Sequence, residues 1–392
     1  MPDAPDAVRD HLALALVPGL GPKLTAALIE RFGSAAAALR ATAAQLTEVP
    51  HIGERTAADL AAALRTVNVE PELRLMEKHG THAVALGLEG YPAPLARVPA
   101  PPPLLYLRGE WLAADANAVG IVGSRSCTSY GMKVAAQLAR ELARAGFTVV
   151  SGLARGIDGA AHRGALEAGG RTVAALAGGL SKIYPPEHAD LAAQIADGRG
   201  CLVTETPMAV APQPGMFPAR NRVISGLSRA VIVIEANARS GALITARHAA
   251  EQGREVYAVP GRVDDTASAG CLELIRAGAR LVRSADDVLE DLKGIAGSVE
   301  PVPASGRREP AVRGAAGEQP AHAGRSPEPP PPPPPQLDAT QQRVFDALAT
   351  RKHADELTRE LGVPVAELSR VLMQLEMKKV VRRVPGNFYE RR

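Results

Sequence analysis

Two arginines flank an asparagine in Phe217-Pro218-Ala219-Arg220-Asn221-Arg222-Val223-Ile224-Ser225-Gly226-Leu227-Ser228, a segment that runs from an aromatic-proline turn into an apolar helix. Guanidinium and carboxamide groups held on such a frame are fixed hydrogen-bond donors, and an anion is their natural counterpart. A second donor-rich turn, Gly123-Ser124-Arg125, follows the apolar run Ala118-Val119-Gly120-Ile121-Val122. The Ser124 hydroxyl, the turn amides and the Arg125 guanidinium suit phosphate oxygens, while pairing of Arg125 with a carboxylate is the plainer alternative. Two such turns on one sheet suggest one shared site.

Two more segments add donors. In Ala177-Gly178-Gly179-Leu180-Ser181-Lys182-Ile183-Tyr184-Pro185 the glycines permit close backbone approach, Lys182 supplies a point charge, and Tyr184 offers a ring to a base or simply packs the loop. In Glu235-Ala236-Asn237-Ala238-Arg239-Ser240-Gly241-Ala242, Ser240 and Gly241 open a helix, either as an anion-friendly N-terminus or as an ordinary cap.

A nicotinamide or flavin site is disfavoured. Gly120 and Gly123 do not complete G-x-G-x-x-G, position 125 is arginine, and the following strand, Phe147-Thr148-Val149-Val150-Ser151-Gly152, ends without an acid for a ribose. Asp158 and His162 lie four apart on one helical face and could couple as acid and base, but a helix-start cap and a packed histidine explain them more cheaply. Nucleophile elbow, Walker lysine and metal cluster are all missing from the sequence. No cofactor and no metal are expected.

The elements that must carry these residues follow from the pattern. Apolar runs at 118–122, 147–151, 172–176, 201–204, 230–235, 255–259 and 279–282 are too continuous for half-exposed strands, and helical segments fit at 130–145, 158–168, 187–197, 241–252, 269–277 and 285–293. That predicts an α/β, doubly wound core with a buried parallel sheet over residues 71–294, entered through a proline-rich crossing at 92–103. Residues 1–70 read as a helical domain whose turns, Val17-Pro18-Gly19-Leu20-Gly21-Pro22-Lys23 and Val49-Pro50-His51-Ile52-Gly53-Glu54-Arg55, resemble helix-hairpin-helix hairpins, the second with His51 in place of a glycine. Six Lys/Arg against eight Asp/Glu there favour a structural or protein-contact role over DNA binding.

Residues 295–336, ending in seven consecutive prolines at 329–335, read as a disordered spacer. Three helices and a hairpin in 337–392 form a winged-helix pattern, with Lys378, Lys379, Arg382 and Arg383 clustered between the last helix and the wing. The whole chain of 392 residues carries 45 Lys/Arg and 42 Asp/Glu, so any polyanion site must be local. Three cysteines without CxxC spacing argue against a disulfide framework or zinc site, and the acidic N-terminus and absence of a long apolar run point to a cytoplasmic protein with no membrane partner.

VGSRSCTSYG at 122–131, SGLARGIDGAAHRGAL at 151–166, AGGLSKIYPPEH at 177–188, FPARNRVISGLS at 217–228 and EANARSGALITARHAAEQGREVYAVPG at 235–261 together resemble the DNA-processing protein A (DprA, or Smf) family. The resemblance is dense over 105–293 and extends to the flanking modules by layout. It implies an extended Rossmann-like core with an N-terminal sterile-alpha-motif (SAM) or helix-hairpin-helix domain and a C-terminal winged helix. It also implies single-stranded DNA binding without catalysis, a homodimer formed through the core, and loading of the recombinase RecA in natural transformation. Carried onto this chain, the family's DNA pocket comprises Ser124, Arg125, Lys182, Arg220, Asn221, Arg222, Ser240 and Gly241, the set already selected as anion donors. Ser181 departs from the family pattern, in which an acidic residue is common before the lysine. The competing expectations are a Rossmann-type enzyme acting on a nucleotide or nucleoside phosphate, with Asp158, His162 or Glu205 as acid or base, and a winged-helix regulator with a ligand-sensing core.

Overall fold

The computed structural model describes residues 6–293 and most of 337–391, which fall into two compact units on either side of the undescribed stretch. The expected spacer, 295–336, lies outside the described residues.

The first unit begins with α1 (Asp6–Leu16), α2 (Pro22–Phe32), α3 (Ala35–Leu39), α4 (Ala43–Leu46), α5 (Glu54–Thr66) and α6 (Glu70–Lys78). The two hairpins join α1 to α2 and α4 to α5, and they share one backbone. Gly19 has φ +78° and His51 has φ +70°, so His51 holds the left-handed conformation that glycine adopts at the matching position. Gly21 and Gly53 then cap α2 and α5 in extended conformation. Leu14, Leu28, Leu46 and Leu60 close a separate small core, whereas Val8, Leu12 and Met76 of α1 and α6 pack against side chains of the sheet. The expected domain boundary at 70 thus falls at the first residue of α6.

The chain continues as β1 (Thr81–Ala85), α7 (Ala93–Ala96), β2 (Leu104–Gly109), β3 (Ala118–Val122), α8 (Ser129–Arg144), β4 (Thr148–Ser151), α9 (Ile157–Glu167), β5 (Thr172–Ala175), α10 (Ala189–Ala196), β6 (Gly200–Thr204), α11 (Met216–Leu227), β7 (Ala230–Val233), α12 (Gly241–Glu251), β8 (Glu255–Ala258), α13 (Ala269–Arg276), β9 (Arg280–Leu281) and α14 (Ala285–Lys293). The nine strands form one sheet in the order β1-β2-β6-β5-β4-β3-β7-β8-β9. From β6 to β9 every pairing is parallel, while β1 and β2 pair antiparallel at the edge. Those two antiparallel strands are absent from the sequence expectation, which reads their surroundings as a crossing.

Alternation along the strands explains why both faces are covered. Val119, Ile121, Ile232 and Val149 pack with α8, α9 and α14, whereas Ala118, Val122, Val231 and Val150 point into the opposite layer with α11 and α12. Strand order reverses around β3, which lies between β4 and β7. In doubly wound sheets the carboxyl ends beside such a reversal form the binding crevice.

In the second unit, α15 (Ala339–Ala347) begins with a capping box from Asp338 and Gln341, and α16 (Ala354–Leu361) follows β10 (Lys352–His353). β11 (Val381–Val384) and β12 (Phe388–Arg391) form the hairpin, with β10 on the far side of β12. The third helix expected within 337–392 falls partly on undescribed residues. Its Leu368, Val371, Leu372 and Leu375 are buried with Val344 and Leu357 in one core. Helices followed by a hairpin make this a winged-helix unit.

Candidate nucleic-acid interface

A cleft of about 740 Å³ opens at the carboxyl ends of β3, β4 and β7, with Ser124, Arg125, Arg220, Asn221, Ser240 and Gly241 on its walls and floor. A narrower pit adjoins it, sharing Arg125, Tyr184, Phe217 and Arg220 and adding Lys182 and Gly178. Seven of the eight residues selected from sequence therefore converge, contributed by the turns after β3 and β5, by α11 and by the start of α12.

Exposed cations ring this opening. The Arg125 guanidinium lies 4.6 Å from the Phe217 ring centroid, and Tyr184 approaches the same ring at 6.0 Å. Among the described residues neither Arg125 nor Lys182 forms an ion pair with a carboxylate, so the plainer role left open for Arg125 is not the one taken. Stacking on Phe217 orients the guanidinium while leaving its N–H groups directed to solvent and to a ligand. Arg239 adds a further exposed cation at the rim, and Ile244 contributes apolar wall. Sequence reasoning gives no role to Arg239, Phe217 or Ile244. An arginine and an apolar residue flanking the Ser240-Gly241 helix start are the available signal.

The turn that carries Ser124 and Arg125 is fixed from behind. The Ser124 amide donates to the Glu235 carbonyl at 2.7 Å, and the buried Glu235 carboxylate accepts from the Thr128 amide at 2.8 Å and from the Thr128 hydroxyl. A Cβ on Gly131 would lie 2.5 Å from the Glu235 carboxyl carbon, so any larger residue there would have to displace the carboxylate that holds Thr128. Ser240 caps α12, its hydroxyl accepting from the Ala242 amide at 3.3 Å, and the Asn221 carboxamide donates to the Gly241 carbonyl at 3.1 Å. Asn221 thus ties α11 to α12 at the base of the cleft.

The two arginines of the central segment separate. Phe217 and Pro218 lie in the first turn of α11, where proline's missing N–H costs no helical bond. Arg220 is buried, donating to the Gly152 carbonyl at 2.5 Å and to the Ala175 carbonyl, and a Cβ on Gly152 would meet its guanidinium. Burial lowers its pKa to about 10, opposed by Asp158. Arg222 lines neither hollow: it pairs with Glu205 and donates to the Ala100 carbonyl at 2.8 Å. Glu205, pushed up to about 7 by burial with Arg222 opposing, faces away with it.

Asp158 is buried and accepts from the Gly152 amide at 3.1 Å and the Ala154 amide at 3.4 Å. Burial raises its pKa, with Arg220 acting against that rise. His162 is fully buried with Nδ1 2.7 Å from the Thr172 hydroxyl, which itself donates to the Val149 carbonyl. Nδ1 therefore carries the proton, and burial lowers the His162 pKa to about 3. Asp158 thus lines the cleft with its carboxylate held by two amides, whereas His162 lies in the scaffold beneath it.

Comparison with known proteins agrees with this architecture. A family profile named DNA recombination-mediator protein A matches residues 82–293, a DprA winged-helix profile 328–387, and a SAM-like helix-hairpin-helix tandem 12–66. Protein Smf of Synechocystis is 34% identical, with 97% of this chain and 98% of that protein covered. DNA processing protein DprA of Bacillus subtilis is 42% identical over 56% of this chain and 74% of that protein. Among solved structures, DprA of Streptococcus pneumoniae matches with TM-score 0.63 and 33% identity, covering 72% of this chain and 95% of that one. A DprA of Helicobacter pylori described by its single-stranded DNA binding mode matches with TM-score 0.50 and 30% identity over 55% of this chain and 97% of that one. With that profile over 82–293 and the Synechocystis relative matched over nearly its whole length, this chain belongs to the DNA recombination-mediator protein A (DprA/Smf) family.

Proposed function

We propose that this chain is a non-catalytic, cytoplasmic mediator of recombination that binds single-stranded DNA in the cleft, protects it, and loads the RecA recombinase onto it during natural transformation. One observation carries the reading: Arg125 and Lys182 are exposed at the switch point, without an ion pair to a carboxylate among the described residues, next to the rings of Phe217 and Tyr184. Unpaired cations attract successive phosphates, and rings accept any base, so binding should be tight in low salt and nearly independent of sequence. Family membership supports the DNA-processing role and, by resemblance, RecA as the partner.

The enzyme alternative gains little from the geometry. Asp158 lines the cleft but its carboxylate is taken up by the Gly152 and Ala154 amides, His162 is buried against Thr172, and Glu205 pairs with Arg222 outside the cleft. Competition anisotropy separates the readings: unlabelled oligothymidylate should displace a labelled single strand far better than duplex or mononucleotide. Preferential displacement by a mononucleotide would favour the enzyme.

We further propose a homodimer formed near 255–282. Among the described residues β9 ends the sheet, beside β8; Leu281 on it is 45% exposed, and Leu274 and Ile275 are half-buried on α13. Light scattering at micromolar concentration should give a dimer that Leu274→Arg converts to monomer. A dimer that survives the substitution would relocate the interface.

A further inference from the structure

Beneath the turn that carries Lys182 lies a buried carboxylate that belongs to the N-terminal helical segment. Glu72, in the first turn of α6, is 7% exposed, and among the described residues no cation pairs with it. A buried carboxylate is costly unless its oxygens are used. Glu72 accepts from the Met208 amide at 2.7 Å and stands next to the Tyr106 hydroxyl, whose ionisation is opposed first by burial and then by Glu72 itself.

Met208 passes this anchorage on through its main chain. Its carbonyl accepts twice from Ser181, from the amide at 3.2 Å and from the hydroxyl at 2.5 Å. Two flanking bonds reinforce the contact: the Gly179 amide donates to the Val210 carbonyl at 2.9 Å, and the Thr206 hydroxyl donates to the Ala177 carbonyl at 2.8 Å. The two segments are pressed together so closely that a Cβ on Gly179 would collide with the carbonyl oxygens of both Pro207 and Met208. Lys182 is the next residue after Ser181. Its main chain is thus held to 206–210, and 206–210 is held to α6 by Glu72.

We propose that Glu72 is a positioning residue for Lys182, acting through the main chain on both sides of Met208 and through Ser181 to hold the lysine over the pit and so linking the N-terminal helices to DNA binding. Serine at 181 fits this role, since its hydroxyl donates to a carbonyl that a carboxylate would repel. The proposal rests on the reading of Lys182 as a phosphate contact.

Anisotropy titrations of the intact chain with oligothymidylate at several salt concentrations test it. Glu72→Ala should bind about fivefold more weakly, the scale of a single hydrogen bond's influence, with a log–log salt slope shallower by about 0.7, the share of one phosphate. Glu72→Gln, whose amide oxygen still accepts from Met208, should bind like the parent. Glu72→Ala should add nothing once Lys182→Ala is present, because both remove the same contact. A parent-like slope in folded Glu72→Ala, or full additivity with Lys182→Ala, overturns the proposal while leaving the DNA reading intact. Should Glu72→Ala fail to fold, Ser181→Ala decides: a shallower slope supports the relay, and a parent-like slope overturns it. If Lys182→Ala itself binds as the parent does, the role of Lys182 in DNA binding falls, and this proposal with it.

Discussion

Arg220 and Arg222 have the same chemistry and opposite fates. On a helix two residues apart are turned by about 200°, so one guanidinium of the Arg-Asn-Arg triplet enters the floor and the other pairs with Glu205. The sequence shows which residue types can grip an anion; it does not show which face of α11 meets the sheet, and it therefore points both arginines at the pocket. Arg125 and Lys182 are legible as members of one opening because each follows a strand in a short turn, where side-chain direction is constrained. Arg220 should be a structural residue as much as a binding one. Arg220→Met leaves the Gly152 and Ala175 carbonyls unsatisfied and Asp158 without its compensating charge, and we expect a loss of about 3 kcal/mol in urea denaturation. Lysine should not restore it, because an ammonium lacks the planar fork that spans two carbonyls.

At the scale of elements, strand spacing was legible because the parallel strands are buried on both faces and read as unbroken apolar runs. β1 and β2 escaped notice for a physical reason. Thr81-His82-Ala83-Val84-Ala85 is short and mixed, and Leu104-Leu105-Tyr106 emerges directly from the prolines at 101–103, so antiparallel pairing at a distance, not local pattern, makes them strands. Glu72 was illegible for the same reason, since its partner Met208 is 136 residues away. The paired hairpins yield a separate test. His51 sits at φ +70°, where a β-carbon is strained and glycine is not. His51→Gly should raise stability by about 1 kcal/mol in thermal or urea melts, while Gly19→Ala, which puts a Cβ at φ +78°, should lower it. Equal stability of His51→Gly and the parent would mean that the imidazole makes interactions that offset the strain.

For the molecule as a whole, the proposal divides DNA contacts between the two compact units. Residues 337–392 hold eleven Lys/Arg against eight Asp/Glu, and Arg382 of the basic cluster pairs with Glu390, which reduces the charge available to a second strand. We assign this winged-helix unit an auxiliary contact with duplex DNA and the cleft the main contact with single strands. No helix among the described residues is long and apolar enough to cross a membrane. A chain truncated after Gly294 should therefore keep most single-strand affinity and lose part of its weak duplex affinity. Loss of single-strand binding would transfer the principal site to the second unit, and unchanged duplex affinity would remove the auxiliary role.

That the switch-point cleft grips DNA by its phosphates is best checked at Arg125, which forms no ion pair with a carboxylate among the described residues and takes no part in the hydrogen bonds that hold Arg220 in the floor. Single-strand affinity of Arg125→Ala should be measured against salt concentration with oligonucleotides of different base composition. Binding should weaken for all of them alike, with a log–log slope shallower by about 0.7 for each phosphate that Arg125 no longer grips. A folded Arg125→Ala protein with the parent's affinity and the parent's slope would contradict it.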